Sequence, residues 1–96
     1  MNGGDFSRKV ERAFIDIVVE RVEKKGLKKG EFAALVWPEM TPKTAASRWT
    51  AIRLHASNTG KPQVVSIADG QRMASVVGKD LSYLLAIAAE RASEQR

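Results

Sequence analysis

The stretch that decides the fold runs from Thr41 to His55 and reads TPKTAASRWTAIRLH. Thr41 is able to cap a helix through its hydroxyl, and Pro42 suits the first helical position, where no backbone N–H is needed. Apolar residues then recur at steps of four, three and four, which places them along one side of a helix. These residues are Ala45, Trp49, Ile52 and Ala56. The pattern predicts a helix with one side in the core.

The other side of this predicted helix carries two cations, two hydroxyl groups and a methyl group. The residues are Lys43, Thr44, Ser47, Arg48 and Ala51. A helix that enters the major groove of DNA needs such a surface, because hydroxyls and methyls permit close approach and a guanidinium can read guanine. The alternative is an ordinary amphipathic helix whose polar side faces water. The neighbouring segments favour the DNA-binding interpretation.

Two helical segments precede this stretch. Near the N-terminus, apolar residues recur at steps of three and four, which predicts a first helix over about 7–25 with its stop at Gly26. The charged residues of this helix, including Arg12, are expected to face water. A shorter helix is expected over about 29–37. It ends before Pro38, because a residue that precedes proline is disfavoured in the helical conformation.

Two more helical segments follow it. Residues 58–62 (NTGKP) form a turn cluster. Ser66 is expected to cap a fourth helix that ends at Gly78, and Asp80 to cap a fifth. The apolar side of the fourth helix is predicted to hold Ile67, Met73, Ala74 and Val77. The chain is therefore predicted to be all-α with five helices.

Length and composition exclude several classes of protein. Ninety-six residues, 44% of them hydrophobic, suffice for a single domain over 1–96, with frayed ends at 1–5 and 93–96. The chain has no cysteine, and its one histidine, His55, has no partner for a metal site or a nucleophile–base pair. We therefore expect no enzyme activity, cofactor, metal or small-molecule ligand. No apolar run is long enough for a membrane span and the N-terminus does not resemble a secretion signal, so a cytoplasmic location is expected.

The charge of the chain is uneven. The net charge is +5, and residues 1–63 hold twelve Lys/Arg against seven Asp/Glu, whereas residues 64–96 hold four of each. The basic surplus therefore accompanies the first three predicted helices. A basic surface favours a polyanion such as nucleic acid and speeds encounter with it. The alternative is simple solubility, for which this net charge is ordinary.

Five short helices, with the second and third joined tightly, resemble a lambda-repressor-like (XRE-type) helix-turn-helix domain. Residues 27–33 (LKKGEFA) are similar to the start of the family's second helix, and residues 47–49 (SRW) to the end of its recognition helix. Residues 66–85 are similar to its fourth and fifth helices with their glycine break. The resemblance covers roughly 10–88, with the motif at about 28–55. It implies a double-stranded-DNA-binding transcriptional regulator, repressor-like and of phage or mobile-element type.

The chain departs from the family pattern at two places. Trp37 and Pro38 stand near the glycine that the family usually has in the turn, and the turn is about three residues longer. Trp37 is expected to be buried over this turn. Lys28 and Lys29 hold the positions where the family usually has Ser or Thr followed by Gln. A lysine can meet a phosphate, though less directionally.

The polar side of the third helix and the cations around it are the candidate contacts. Arg48 is expected to meet a base edge or a nearby phosphate, whereas lysines at the start of the second helix are expected to meet the DNA backbone. The predicted DNA-binding residues are Lys28, Lys29, Lys43, Thr44, Ser47, Arg48, Arg53 and Lys61. Each of them has the alternative of being an ordinary solvated side chain.

A partner is predicted from the fifth helix. Tyr83 and Ile87 widen its apolar side, which indicates a homodimer, because proteins of this class commonly bind two half-sites as twofold dimers. The alternative is that both residues pack on the first helix. A second interpretation of the whole chain is a helical protein–protein interaction module with little DNA affinity, the partner of a toxin or of another regulator.

Overall fold

The computed structural model describes residues 3–54 and 64–94. Within these residues the chain forms five α-helices and no strand. They are α1 (Gly3–Lys24), α2 (Lys29–Val36), α3 (Pro42–Arg53), α4 (Ile67–Val76) and α5 (Leu81–Glu94). The prediction of an all-α chain with five helices is confirmed.

The bounds of two helices differ from the prediction. Helix α1 begins at Gly3, inside the segment expected to fray, and α5 continues to Glu94. The end of α5 has a physical reason, because Ala92 in its last turn is buried and packing there outweighs the polar composition of the tail. The predicted stretch runs to His55, but α3 ends at Arg53 and Leu54 is extended, with φ −110° and ψ 163°. His55 lies outside the described residues.

Two helices begin at the hydroxyl caps that the sequence predicts. The Thr41 side chain accepts a hydrogen bond from the Thr44 backbone N–H at 3.2 Å, and Pro42 occupies the first turn of α3. The Ser66 side chain accepts one from the Asp69 backbone N–H at 3.0 Å. Each bond satisfies a donor that the first turn of a helix otherwise leaves unpaired.

Helix α2 begins without such a hydroxyl. The Lys28 backbone N–H instead donates to the Glu31 carboxylate at 2.9 Å, so the acidic residue of the first turn closes that helix start. Gly26 and Gly78 have φ values of 74° and 75°, the left-handed conformation that glycine adopts most readily after a helix. Both glycine stops are as predicted.

Helix α1 contributes a broad buried side to the core. Its buried residues are Ala13, Phe14, Ile15, Ile17, Val18 and Val22. With Ile15 included, they cover a wider arc than a stripe at steps of three and four, because α1 meets more than one neighbour. It packs along α5 on one side, and Arg12 reaches the end of α3 on another. The Arg12 guanidinium donates to the carbonyl oxygens of Ile52 and Arg53, both at 2.7 Å.

The prediction that Arg12 faces water was wrong. Carbonyl groups in the last turn of a helix have no partner within the helix, and a cation suits the negative end of the helix dipole. Arg12 satisfies both requirements for α3 from forty residues away. Helix periodicity indicates on which side of α1 Arg12 lies. It does not indicate that α3 ends beside that side.

Helices α2 and α3 pack closely. The rings of Phe32 and Trp49 lie 4.8 Å apart between centroids at an interplanar angle of 57°. Both side chains are fully buried, as are Ala33 and Ala45. The two alanines are small enough to bring the helix backbones near one another. The prediction that Trp49 is a core residue is confirmed.

Helix α4 approaches α1 and α5 at Gly70. A Cβ atom at Gly70 would lie 3.3 Å from a Leu81 methyl carbon and 3.7 Å from the Phe14 ring. The absence of a side chain therefore brings this helix close to its neighbours. Met73, Ala74 and Val77 are buried as predicted, whereas Ile67 is exposed. Within the described residues, no helix is both long and apolar enough to cross a lipid bilayer.

Trp49→Ala is expected to lower the free energy of unfolding by about 3–5 kcal/mol, because the ring fills the space between α2 and α3. That loss is a large share of the stability of a small domain. Urea denaturation followed by circular dichroism measures it. Ser47→Ala, two positions away on the exposed side of α3, serves as the control and should change stability by less than about 0.5 kcal/mol. A Trp49→Ala protein as stable as the control would contradict the core assignment.

Candidate nucleic-acid interface

The connection between α2 and α3 is a compact turn of five residues, 37–41. The Trp37 N–H donates to the Ala33 carbonyl at 2.9 Å, which ends α2, and the Met40 N–H donates to the Trp37 carbonyl at 3.1 Å. Trp37 is buried, as the sequence predicts. The turn is therefore held by its own hydrogen bonds and by a tryptophan anchored in the interior.

The Asp69 carboxylate of α4 joins this turn to α3. One oxygen accepts a hydrogen bond from the Trp37 indole N–H at 3.0 Å, and the other accepts one from the Arg48 guanidinium. The Arg48 guanidinium carbon also lies 5.3 Å from the Trp37 ring centroid, a distance at which a cation is attracted to a ring. Residue Asp69 is only 7% exposed. The cluster of Trp37, Arg48 and Asp69 thus ties three segments of the chain at one buried carboxylate.

The charge of this carboxylate is stabilised by its partners. Burial acts to raise the pKa of Asp69, but the hydrogen bonds from Trp37 and Arg48 and the positive charge of Arg48 outweigh it. The net effect holds the pKa below its ordinary value of 3.8. Asp69 is therefore ionised at neutral pH, and it pairs with Arg48 as an ion pair rather than as a neutral acid.

A second arginine, Arg72 of α4, holds the same turn. Arg72 donates to the Val36 carbonyl at 3.0 Å and to the Glu39 carboxylate at 2.9 and 2.8 Å. The hydrogen bond from Arg72 lowers the pKa of Glu39. The Val36 carbonyl belongs to the last turn of α2, so this contact also satisfies an acceptor that the helix leaves open. Helix α4 therefore holds both the end of α2 and the start of the turn.

The exposed side of α3 is polar and carries no acidic residue. Lys43, Thr44, Ser47 and Thr50 are all exposed. The Thr44 hydroxyl accepts a hydrogen bond from the Thr41 hydroxyl at 2.9 Å, so part of its capacity is used at the helix start. Thr50 was missing from the predicted set, although its spacing of three residues from Ser47 places it on the same side. These residues form the exposed α3 face.

Arg48 lies beside this face rather than on it. Its side chain is 30% exposed, and its guanidinium is directed to Asp69. Its Nε atom is buried and has no hydrogen-bond partner among the described residues. The sequence predicted Arg48 as a contact to a base edge or a nearby phosphate, and it did not indicate that Asp69 is the partner of Arg48. The predicted contact of Arg48 with DNA stays a prediction. Only the exposed part of the side chain could make this contact, because the guanidinium is already hydrogen-bonded to Asp69.

The remaining predicted cations lie at several places. Lys28 and Lys29 are exposed at the start of α2. Arg53 is half-buried, with its guanidinium carbon 5.5 Å from the Trp49 ring centroid and a hydrogen bond to the Thr50 hydroxyl at 3.3 Å. Burial lowers the pKa of Arg53. Lys61 and His55 lie outside the described residues. The predicted cations that the structure describes therefore lie on α2, on α3 or at the start of α2.

The two residues predicted to form a dimer surface have different surroundings. Tyr83 is exposed, and the Lys79 ammonium lies 5.6 Å from its ring centroid. Ile87 is partly buried against the core, in a groove between α1 and α5 beside a salt bridge from Arg91 to Glu20 at 2.7 and 2.9 Å. At Ile87 the structure therefore agrees with the alternative, in which this residue packs against the first helix.

The described residues contain no group of three or more metal-ligating side chains that could hold a metal ion. The chain matches no family model, and no curated protein or solved structure shows significant similarity to it. The case for a function therefore depends on the geometry of α2, the turn and α3.

The stability of the protein is expected to fall as the pH drops below about 4. A carboxylate whose pKa is lowered by folding contributes stability that is fully present above its unfolded pKa, near 3.8 for Asp69, and is lost as the pH falls through the lower folded value. Asp69→Asn should therefore flatten this dependence and lower stability at pH 7 by about 1–3 kcal/mol, because Arg48 loses a charged partner.

Urea denaturation at pH 7, 4 and 3 measures this effect. Glu39→Gln is the control, since Glu39 is also paired with an α4 arginine but is exposed. It should retain most of the acid dependence. An Asp69→Asn protein with an unchanged pH profile would show that the buried carboxylate does not control the acid stability.

Proposed function

We propose that the protein binds double-stranded DNA at specific sequences through α2, the turn and α3, as a lambda-repressor-like transcriptional regulator of phage or mobile-element type. The observation that carries this proposal is the exposed α3 face. It offers hydroxyl groups and a lysine without any acidic residue, on a helix whose opposite side is fully buried. A helix in a major groove needs a polar reading side and a rigid support.

The electrostatics of the motif support this proposal. Helix α3 carries Lys43, Arg48 and Arg53 and no Asp or Glu. The acidic residue nearest to it in the turn, Glu39, is paired with Arg72. The phosphates of DNA would therefore meet no unpaired carboxylate on α3 or at Glu39, and the one acidic residue of α2, Glu31, accepts a hydrogen bond from the Lys28 backbone N–H. Such a surface gains affinity from the release of counterions.

The proposed contacts divide into two kinds. Ser47, Thr50 and the exposed part of Arg48 are assigned to base edges, where hydroxyls and a guanidinium can donate or accept. Lys28 and Lys29 are assigned to phosphates, which fix the position of the protein without reading sequence. The list of phosphate contacts also includes Lys43, Arg53 and Lys61, and Thr44 completes the base-facing set.

The cluster of Trp37, Arg48 and Asp69 has a role in this proposal. It holds α3 against α4, so the exposed α3 face has one orientation before DNA arrives. A surface that is ordered in advance loses less conformational entropy on binding. Asp69 also orients the Arg48 guanidinium, which reduces the number of rotamers that remain for a base contact.

One observation favours the alternative of a protein–protein module. Leu35 of α2 and Leu54 after α3 are exposed large apolar residues on the same unit. An apolar contact at these leucines would suit a protein partner. The two functions differ in their response to salt, because affinity for DNA falls steeply as salt rises and an apolar protein contact does not depend on phosphate charges.

Selection of bound sequences from random duplex DNA tests the proposed function, and binding to the selected site at two salt concentrations tests the contacts. Lys29→Ala should weaken binding to the selected site and to unrelated DNA alike, and should make the slope of log affinity against log salt shallower by about 0.9. Lys79→Ala, a lysine of the α4–α5 loop, is the matched control and should leave the slope unchanged. Equal effects of the two substitutions would refute the phosphate assignment, and failure to select any sequence would refute the proposed function.

Arg48→Ala should reduce binding to the selected site more than binding to unrelated DNA. A lost arginine–guanine contact costs about 1–3 kcal/mol and relaxes the preference at one base pair. Because Arg48 also pairs with Asp69, circular dichroism must first show that the variant is folded at the temperature of the assay. A folded variant with an unchanged ratio of specific to non-specific affinity would show that Arg48 serves only the fold.

A further inference from the structure

Helix α3 lacks the side chains that read several bases by hydrogen bonds. It contains no Asn or Gln, which pair with adenine in the major groove, and no Asp or Glu, which accept a hydrogen bond from cytosine. The Arg48 guanidinium is hydrogen-bonded to Asp69. The Arg53 guanidinium carbon lies 5.5 Å from the Trp49 ring centroid. The exposed α3 face itself therefore offers a lysine, hydroxyl groups and methyl groups.

The two threonines of the exposed α3 face use their hydroxyl groups within the chain. The Thr44 hydroxyl accepts a hydrogen bond from the Thr41 hydroxyl at 2.9 Å, and the Thr50 hydroxyl accepts one from the Arg53 guanidinium at 3.3 Å. In threonine the hydroxyl and the methyl group are attached to the same carbon, so a bond that holds the hydroxyl also fixes the methyl group. Each threonine therefore offers an ordered methyl group as the part of its side chain that no intramolecular hydrogen bond uses.

We propose that the protein reads thymine, through contacts between the methyl groups of Thr44 and Thr50 and the C5 methyl groups of thymines in the major groove. The class of ligand is duplex DNA with A·T pairs opposite this face, recognised from the thymine side. The inference deepens the proposed function and rests on it, because it names the chemical feature of the DNA that the exposed α3 face detects. It does not depend on the predicted contact of Arg48 with DNA.

The chemistry of the two methyl groups gives such a contact its selectivity. Thymine alone among the DNA bases carries a methyl group in the major groove. Contact between two methyl groups removes apolar surface from water on both sides and needs no hydrogen-bond geometry. A cytosine in the same place presents an amino donor, which a methyl group cannot accept. Because the threonine methyl groups are fixed before DNA binds, their contact with thymine costs little conformational entropy.

The spacing of the two threonines predicts two separate thymines. Thr44 and Thr50 are six residues apart in one helix, which separates them by about 9 Å along its axis. Successive base pairs of B-DNA are about 3.4 Å apart. The two methyl groups therefore meet different base pairs. Ser47 lies between them on the same face and has no methyl group, so it gives no such preference.

Replacement of single thymines by deoxyuridine in the site selected from random DNA tests this inference. Uracil keeps the hydrogen-bonding groups of thymine and lacks only the methyl group. At two positions the replacement should weaken binding of the full chain about fourfold, the value for one buried methyl group. Fluorescence anisotropy at constant salt measures the affinity, and thymines in the flanking DNA serve as controls. A selected site without thymine, or one in which no thymine is sensitive, would overturn the inference.

Two substitutions of Thr50 separate its methyl group from its hydroxyl. Thr50→Ser removes only the methyl group, so it should abolish the preference for thymine over uracil at one of the two positions. Thr50→Val keeps a methyl group and removes the hydroxyl, so the preference there should stay at about fourfold. Thr44→Ser should abolish the preference at the other position. A preference that Thr50→Val abolishes and Thr50→Ser retains would show that the hydroxyl reads the base, and would overturn the inference.

Thr41→Ser is the matched control for the threonine-to-serine changes. Thr41 caps α3 from outside the exposed α3 face, and serine retains the hydroxyl that accepts from the Thr44 N–H. This variant should keep the preference for thymine at both positions, and an equal loss of preference would contradict the assignment to Thr44 and Thr50. A protein that selects no DNA sequence refutes the proposed function, whereas one that selects a site and binds its uracil form equally tightly refutes this inference alone.

Discussion

The arrangement of the α2–α3 motif depends on one buried carboxylate. Asp69 accepts hydrogen bonds from the Trp37 indole and the Arg48 guanidinium, and so joins α4 to the turn and to α3. A buried charge is costly unless it is fully paired, and the removal of one partner leaves the others unsatisfied. The turn between α2 and α3 is longer than a minimal connection would need to be. The carboxylate links Trp37, at the start of this longer turn, to Arg48 of α3.

Three further contacts complete the support of α3. Trp49 fills the space beneath it, Arg12 caps its C-terminal carbonyl groups, and Arg72 holds the turn that precedes it. Each contact acts on a different part of the helix, so α3 can neither slide nor rotate without breaking one of them. The large apolar side chains of α3, Trp49 and Ile52, are buried, which leaves mainly polar side chains on its exposed face.

The described residues carry two kinds of surface. The exposed side of α3 is polar and has no acidic residue, whereas a groove between α1, α4 and α5 is lined mainly by apolar side chains, among them Val10, Phe14, Leu81 and Leu85. The first surface follows from the sequence of one helix, whereas the second exists only because three helices meet.

The sequence by itself determined the five helices, their caps at Thr41 and Ser66, their glycine stops and the burial of Trp49. All of these depend on the periodicity and chemistry of residues within a few positions of one another. Only the tertiary structure decided that Arg48 and Arg12 are anchors and that Ile67 is exposed. The partners of the two arginines lie far away in the chain, and Ile67 has no neighbour that buries it among the described residues. Periodicity indicates which side of a helix a residue occupies, but not which neighbour, if any, packs against that side.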